Sequence, residues 1–311
     1  MKNIILHIEG GIGKNIAATA LVAAIKTKHP ELDVLVVTAW DEVWIANSHV
    51  RKVFNFQNTQ YFYDDYIKGK AEETIVMRHD PYHCSSYIFR QKNLLDAWAS
   101  LFPFDLDKIG NPVIQLNERE KQFAKNLIKL DDRPIFVIHP SGGFDGPNTL
   151  PYSWARDIPP ALAQEVINRM TNKGYRVIQL GRPNQREYQN AELLNSTLRI
   201  AMCVLQLAEK RLLIDSFAQH AAAALGLPST VLWIANKPEM LGYDLHDNLV
   251  CDKPIRETAT RNSYLEPFNI LGALEEFPYD TEKLFDVEQI MGSLVGKKQN
   301  KSIKEMEETH A

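Results

Sequence analysis

Twice along this chain a short run of apolar, β-branched residues ends in a glycine-containing turn and passes into a stretch with helical spacing. That repetition restricts the chain to an α/β fold built on parallel strands. In the first half, residues 3–8 are the apolar run, Gly10-Gly11-Ile12-Gly13 the turn and 16–28 the helix; the run at 33–38 suits a buried parallel strand and 41–47 a short helix. In the second half, 135–139 is the strand, Ser141-Gly142-Gly143 the turn, 159–172 a helix stopped by Gly174, and 176–180 the next strand. A helix at 198–209, a strand at 212–214, a helix at 218–225 and a strand at 230–234 follow. Successive strand-helix-strand units imply parallel pairing with right-handed crossovers. Further along the first half, 57–80 is aromatic and polar without clear period, while 86–101 returns to helical spacing through Leu94, Leu95, Trp98 and Leu101.

At 311 residues the chain exceeds the usual span of one hydrophobic core, so two Rossmann-like domains are expected. A charged amphipathic helix at 117–130 ends at Asp131-Asp132-Arg133-Pro134, which sets the domains at 1–132 and 133–296, with a polar tail at 297–311 that reads as disordered or a frayed helix. A charged fraction of 24% and a formal net charge of -4 exert no global pull on nucleic acid, so no nucleic-acid partner is expected. Cys84, Cys203 and Cys251 lie far apart with no C-x-x-C pair, which points to a reducing, cytoplasmic compartment. Glu9 and Lys14 interrupt the apolar N-terminal stretch, which therefore reads as strand and helix and not as a signal peptide. No run approaches the ~18 apolar residues of a membrane span, though peripheral attachment at the inner face of a membrane stays open. His79, Asp80 and His83 form an H-D-x-x-H triplet too sparse for a metal site, and neither a metal nor a cofactor is expected.

The most visible local motif, Glu9-Gly10-Gly11-Ile12-Gly13-Lys14-Asn15, resembles the phosphate-binding loop of ParA and MinD-type ATPases. Asn15 stands where magnesium needs Ser or Thr, and Glu9 would face the phosphates with negative charge. The turn does favour close approach of backbone or ligand at the carboxyl end of the first strand; for Gly13 the alternative is a tight turn needing positive φ.

The stronger signal is in the second half. Asp215, Ser216, His220, Ala223, Ala224, Leu225 and Gly226 fall without a gap on D-[ST]-G-x-x-H-x-x-A-A-L-G, which resembles glycosyltransferase family 9, the ADP-heptose:lipopolysaccharide heptosyltransferases. Phe217 replaces the family's glycine. His139-Pro140-Ser141-Gly142-Gly143 is similar to the family's phosphate-contacting turn, Arg156-Asp157-Ile158-Pro159 to its K-x-W-P signature, and Gly181-Arg182-Pro183 to its G-G-P turn. The first half agrees more weakly, through its glycine turn, apolar helix and His29-Pro30. The resemblance implies a GT-B fold, two Rossmann-like parallel-sheet domains facing a cleft, and a metal-independent inverting glycosyltransferase. Its substrates would be a nucleotide-sugar donor, ADP-linked as the family's name implies, and a glycan or glycolipid acceptor.

A diphosphate in a crevice needs positive charge and backbone donors, which helix N-termini supply. The candidate donor-binding residues are therefore Gly11, Gly13, Ser141, Gly142, Arg156, Gly181, Ser196, Thr197, Asp215, Ser216 and His220. Asp215 would cap its helix or accept a sugar hydroxyl, while Ser216 and His220 would donate to phosphate. For His220 the alternative is a buried, hydrogen-bonded histidine, and for Ser196 and Thr197 a helix N-cap. An inverting transfer needs a base, and Lys14 occupies the position where the family carries an aspartate. Lys14, or Glu9 as a replacement, is the catalytic candidate, with Asp41 the weaker one; the alternative for Glu9 is an ion-paired turn residue, with Lys14 as partner. Loss of the base would leave a noncatalytic nucleotide-sugar-binding protein.

Overall fold

Strands buried on both faces of a parallel sheet must be apolar throughout, and β1 (Asn3–Ile8) and β2 (Asp33–Thr38) meet that demand almost residue by residue. The protein is seen here as a computed structural model that describes residues 2–106, 109–142, 156–183, 185–234, 236–251 and 284–296; Gly143 and the tail lie outside them. Contacts divide the chain into two units, Met1–Leu116 and Asn117–Ala311.

In the first unit, β1 leads into α1 (Ile12–Lys28), which starts four residues earlier than its apolar spacing suggests. The reason is Asn15: it is fully buried, its side chain donates to the Gly11 carbonyl, and its Oδ1 accepts from Thr38 Oγ1 at 2.6 Å, so the first turn is tied to β2. Gly13 is therefore helical, and the positive φ of the turn falls on Gly10, at 99°. After β2 come a 3-10 turn at Asp41–Trp44, β3 (Lys52–Asn55), α2 (Phe62–Tyr66), β4 (Thr74–Met77), α3 (Ser85–Ile88) and α4 (Leu94–Ala99). The order β3-β2-β1-β4 is parallel throughout. β3 and β4 are absent from the sequence reading because four residues are too few to display a period. Ile5, Leu35, Val37 and Phe54 form a core on one sheet face with Phe62, Tyr66 and Ile67 packed on it. α1 is buried on nearly all sides, as its alanine-rich sequence permits.

The second unit opens with α5 (Glu118–Leu127), capped by a reciprocal Asn117–Glu120 box. It continues through β5 (Ile135–Ile138), α6 (Pro160–Asn172), β6 (Arg176–Leu180), β7 (Glu192–Leu194), α7 (Leu198–Leu207), β8 (Lys210–Ile214), α8 (Phe217–Ala224), β9 (Thr230–Trp233), α9 (Pro238–Leu241), β10 (Asp247–Val250) and α10 (Val287–Val295). Its six described strands run parallel in the order β10-β9-β8-β5-β6-β7. Phe136, Ile138, Leu212 and Ile214 pack on one face against Val166 and Met170 of α6 and Ile290 and Leu294 of α10. α7 and α8 pack on each other and reach β5 and β8, so both faces are covered. α5 packs on α7, which is why the division between units precedes this helix, whereas Pro134 follows it.

That packing carries an ion pair. Arg199 of α7 is 5% exposed and grips Glu120 of α5 with both Nε and Nη2, the latter at 2.8 Å from Oε2. Hydrogen bonding to Arg199 holds the Glu120 carboxyl below the usual range. Glu120→Ala takes the carboxylate away from a buried guanidinium and is expected to cost about 3 kcal/mol in urea unfolding; a loss below about 1 kcal/mol would mean the pair behaves as an exposed one.

Candidate functional site

The reversal of strand order between β5 and β8 parts successive loops at the carboxyl edge of the second sheet, the place where open α/β sheets receive ligands. His139, directly after β5, and Ser216, two residues after the end of β8, meet there: Ser216 Oγ and His139 Nδ1 share a hydrogen bond of 2.7 Å. Phe217 stands edge-on to the His139 ring at 5.1 Å, so the residue replacing a glycine fills space beside that contact. Ser216 is the N-cap residue of α8, yet its hydroxyl makes no capping bond, being turned to His139. The Arg156 side chain lies against Gly142, where a Cβ would meet Nε at 2.6 Å, so a side chain there would displace the guanidinium. Its charge reaches both His139 and Asp215.

The same edge holds features that sequence reasoning missed. Asp157 accepts from Ser141 Oγ and from the Gly142 amide, both at 3.0 Å, so the turn after β5 is braced by a carboxylate on the far side of residues 143–155. Asp215 neither caps α8 nor stands free: its Oδ2 accepts from Asn236 Nδ2 at 2.5 Å, in the loop after β9. Burial raises its pKa, against the opposing effects of Asn236 and Arg156. Both partners had one legible signal, a polar residue just beyond a strand end or beside the cationic signature. Gly181, after β6, is enclosed by Gln185 Oε1 and Leu193 Cδ1, each 2.9 Å from where a Cβ would be, which is a packing role. Thr197 takes the N-cap position of α7 without a side-chain bond, and exposed Ser196 donates to the Thr197 carbonyl at 3.2 Å.

His220 is the residue whose surroundings differ most from a phosphate ligand's. It is buried in α8, its Nδ1 meets Tyr243 Oη at 2.7 Å, and the Gln219 amide faces its Nε2 at 3.1 Å. Both ring nitrogens are thus engaged by protein groups, as in the buried-histidine alternative. His246, whose Nε2 bonds the Gln219 carbonyl, extends this buried network.

In the first unit the corresponding reversal lies between β1 and β4, and two ion pairs span it. Lys14 Nζ binds Asp80 Oδ2 at 2.8 Å, with only 4% of its side chain exposed, and lies 5.3 Å from the Tyr82 ring centre and 5.5 Å from that of Trp98. Asp80 also accepts from the Tyr82 amide. Glu9 pairs with Arg78, at 2.8 Å, and not with Lys14; hydrogen bonding to Arg78 lowers its pKa. Gly11 is the N-cap of α1, while Asp41 accepts from Asn55 at the surface. Among the described residues no group of three His, Cys, Asp or Glu is arranged to hold a metal, and Asp80 of the H-D-x-x-H triplet is engaged by Lys14.

Three histidines of the second unit are held neutral by burial: His139 is pushed down to about 3, with help from Arg156, His220 to about 3, and His246 to about 4. An unfolded histidine titrates near 6.5, so the stability they permit is complete above that pH and is lost as pH falls below it. Each adds about 1.4 kcal/mol of destabilisation per pH unit in that window, about 4 for the three, outweighing the opposite trend of the single Asp215. Thermal unfolding followed between pH 7 and 5 should show Tm dropping steeply below about 6.5; a flat Tm would mean that water reaches these rings.

No protein-family model matches the sequence, and no curated protein matches it. Solved structures do resemble the fold. A family 9 glycosyl transferase from Veillonella parvula superposes with a TM-score of 0.63 at 13% identity, covering 94% of this chain and 95% of the other. Heptosyltransferase II from E. coli, named for ADP-heptose and lipopolysaccharide, gives 0.63 at 15% identity over 83% and 92%. The E. coli heptosyltransferase WaaC, solved with ADP, gives 0.52 at 13% identity over 87% and 100%. Two parallel α/β units with these likenesses give the chain the fold of the family 9 heptosyltransferases, the family that the pattern at residues 215–226 resembles.

Proposed function

We propose that this chain is a glycosyltransferase that moves a sugar, heptose-like, from an ADP-linked donor to an acceptor hydroxyl, with inversion and without metal. The observation that carries the reading is the meeting of His139 and Ser216 at 2.7 Å across the strand reversal, beside the Arg156 guanidinium. A diphosphate entering there would meet a fixed cation, the amide groups of the first turn of α8, and a serine hydroxyl already oriented by a neutral imidazole. The two E. coli relatives, named for ADP-heptose and for bound ADP, support ADP as the nucleotide. In this reading the two units face one another across a cleft in the GT-B manner, and the donor edge is Ser141, Gly142, Arg156, Asp215 and Ser216, with Gly181, Ser196 and Thr197 toward the base. His220 supports that edge from within α8.

Transfer forms a bond from the acceptor oxygen to the sugar carbon as the carbon-oxygen bond to the diphosphate breaks, and the hydroxyl proton needs a base. Glu9, exposed and ionised beside Arg78, is the group we assign to it; Lys14, held by Asp80, keeps the turn closed. One observation favours the second reading, donor binding without turnover: both candidate bases are engaged in ion pairs. The protein would act in the cytoplasm, with a glycan or glycolipid acceptor at the inner membrane face; among the described residues no helix is long and apolar enough to cross a membrane.

Calorimetry with ADP should give saturable binding that Arg156→Ala weakens by about tenfold or more, the effect of one charge-assisted contact. No binding by the wild-type chain defeats the proposal. Glu9→Gln should lower transfer or donor hydrolysis by about a hundredfold while leaving ADP affinity unchanged; equal binding with no turnover in either protein selects the noncatalytic reading.

A further inference from the structure

The first unit contains a cleft of about 660 Å³ whose rim includes Glu9 and whose apolar body has so far been given no occupant. It lies on the sheet face that carries Ile5, Val37 and Val76, the face opposite Ile4, Leu6 and Ile8, and Phe62 and Ile67 of the α2 region close it. Its size is that of a small-molecule site, for which about 300–1,000 Å³ is usual. Val76 and Phe56 line it yet remain 52% and 37% exposed, so apolar area that a parallel sheet ordinarily buries under a helix is left open here.

Two polar residues at the carboxyl end of β1 give the cleft direction. Glu9 lines it, and Arg78 donates through both Nε and Nη2 to the same carboxylate oxygen, Oε1. Among the described residues Oε2 has no hydrogen-bond donor. His7 also lines the cleft, its ring tilted against Phe56 with centroids 4.9 Å apart and its Nε2 3.4 Å from Glu9 Oε1. The Glu9 charge is matched by Arg78, and burial together with Arg78 keeps His7 on the neutral side of its usual range. A ligand entering the cleft therefore meets apolar walls, no unshared cation, and one carboxylate oxygen able to accept a hydrogen bond. A phosphate or carboxylate would lose its hydration there without a charged partner.

We propose that this cleft binds an uncharged, apolar alcohol, its hydrocarbon body between Phe56, Phe62 and Val76 and its hydroxyl donating to Glu9 Oε2. Binding stands on the cleft alone. The further statement that this alcohol is the sugar acceptor, so that the acceptor is an apolar aglycone rather than a phosphorylated saccharide, rests on the transferase reading.

The test uses the full chain and 2-naphthol, a fluorescent apolar alcohol that is neutral near pH 7. Titration should show saturable one-to-one binding, and 2-naphthyl phosphate should displace it about tenfold less well than unlabelled 2-naphthol competes with itself. Val76→Trp, at an exposed position, and separately Thr59→Trp, another lining residue, should each weaken binding about tenfold or more with the far-ultraviolet dichroism unchanged. No saturable binding by the wild-type chain, displacement by the phosphate ester as good as or better than by the alcohol, or full binding in both blocked variants overturns the proposal. ADP calorimetry on the same samples separates the two ideas. Naphthol binding without ADP binding keeps the cleft and removes the transferase reading; ADP binding without naphthol binding does the reverse.

Discussion

Reversal of strand order in a parallel sheet is the constraint from which the rest of this molecule follows. Right-handed crossovers send one connection to one face and the next to the other, so the two loops at the reversal separate and leave a gap at the carboxyl edge. In the second unit the gap lies between β5 and β8, and His139 and Ser216 meet across it. In the first unit it lies between β1 and β4, where the chain closes it with Lys14–Asp80 and Glu9–Arg78.

The two edges solve the same geometric problem with different electrostatics. On the first, each cation has its anion within a hydrogen bond, and the pairs hold the loops together. On the second, the titratable groups are buried: His139 and His220 are kept uncharged by desolvation, and Asp215 is carried upward by it against the pull of Arg156. Asp157 and Asn236 do the bracing there, and neither is part of the sheet. A surface that must admit an anion gains from this arrangement, because its polar groups are fixed before any ligand arrives.

Much of the architecture was legible in the sequence because central parallel strands announce themselves as unbroken apolar runs; β1, β2, β5, β6, β8 and β9 lie where those runs lie. The edge strands β3, β4, β7 and β10 were not legible, being three or four residues long and half exposed. At the second unit's edge, Gly142 and Gly181 stand on loops that follow strands, since turn chemistry is local. What could not be read was which partner each polar group takes. Lys14 and Asp80 are far apart in sequence, as are His220 and Tyr243, and only the crossover geometry joins them. The position of Gly13 inside α1 was missed for a related reason: Asn15 has its partner in β2, and that bond sets where the helix begins.

The pairing of Lys14 with Asp80 also bears on how such an edge can change. The two side chains carry opposite charges, the acid on the loop after β4 and the base in the first turn of α1. Replacing residue 14 alone by a carboxylate would face Asp80 with a like charge beside two aromatic rings, where a charge without a counter-ion is costly. A change of sign at either position therefore calls for a matching change at the other if the first loop is to stay closed.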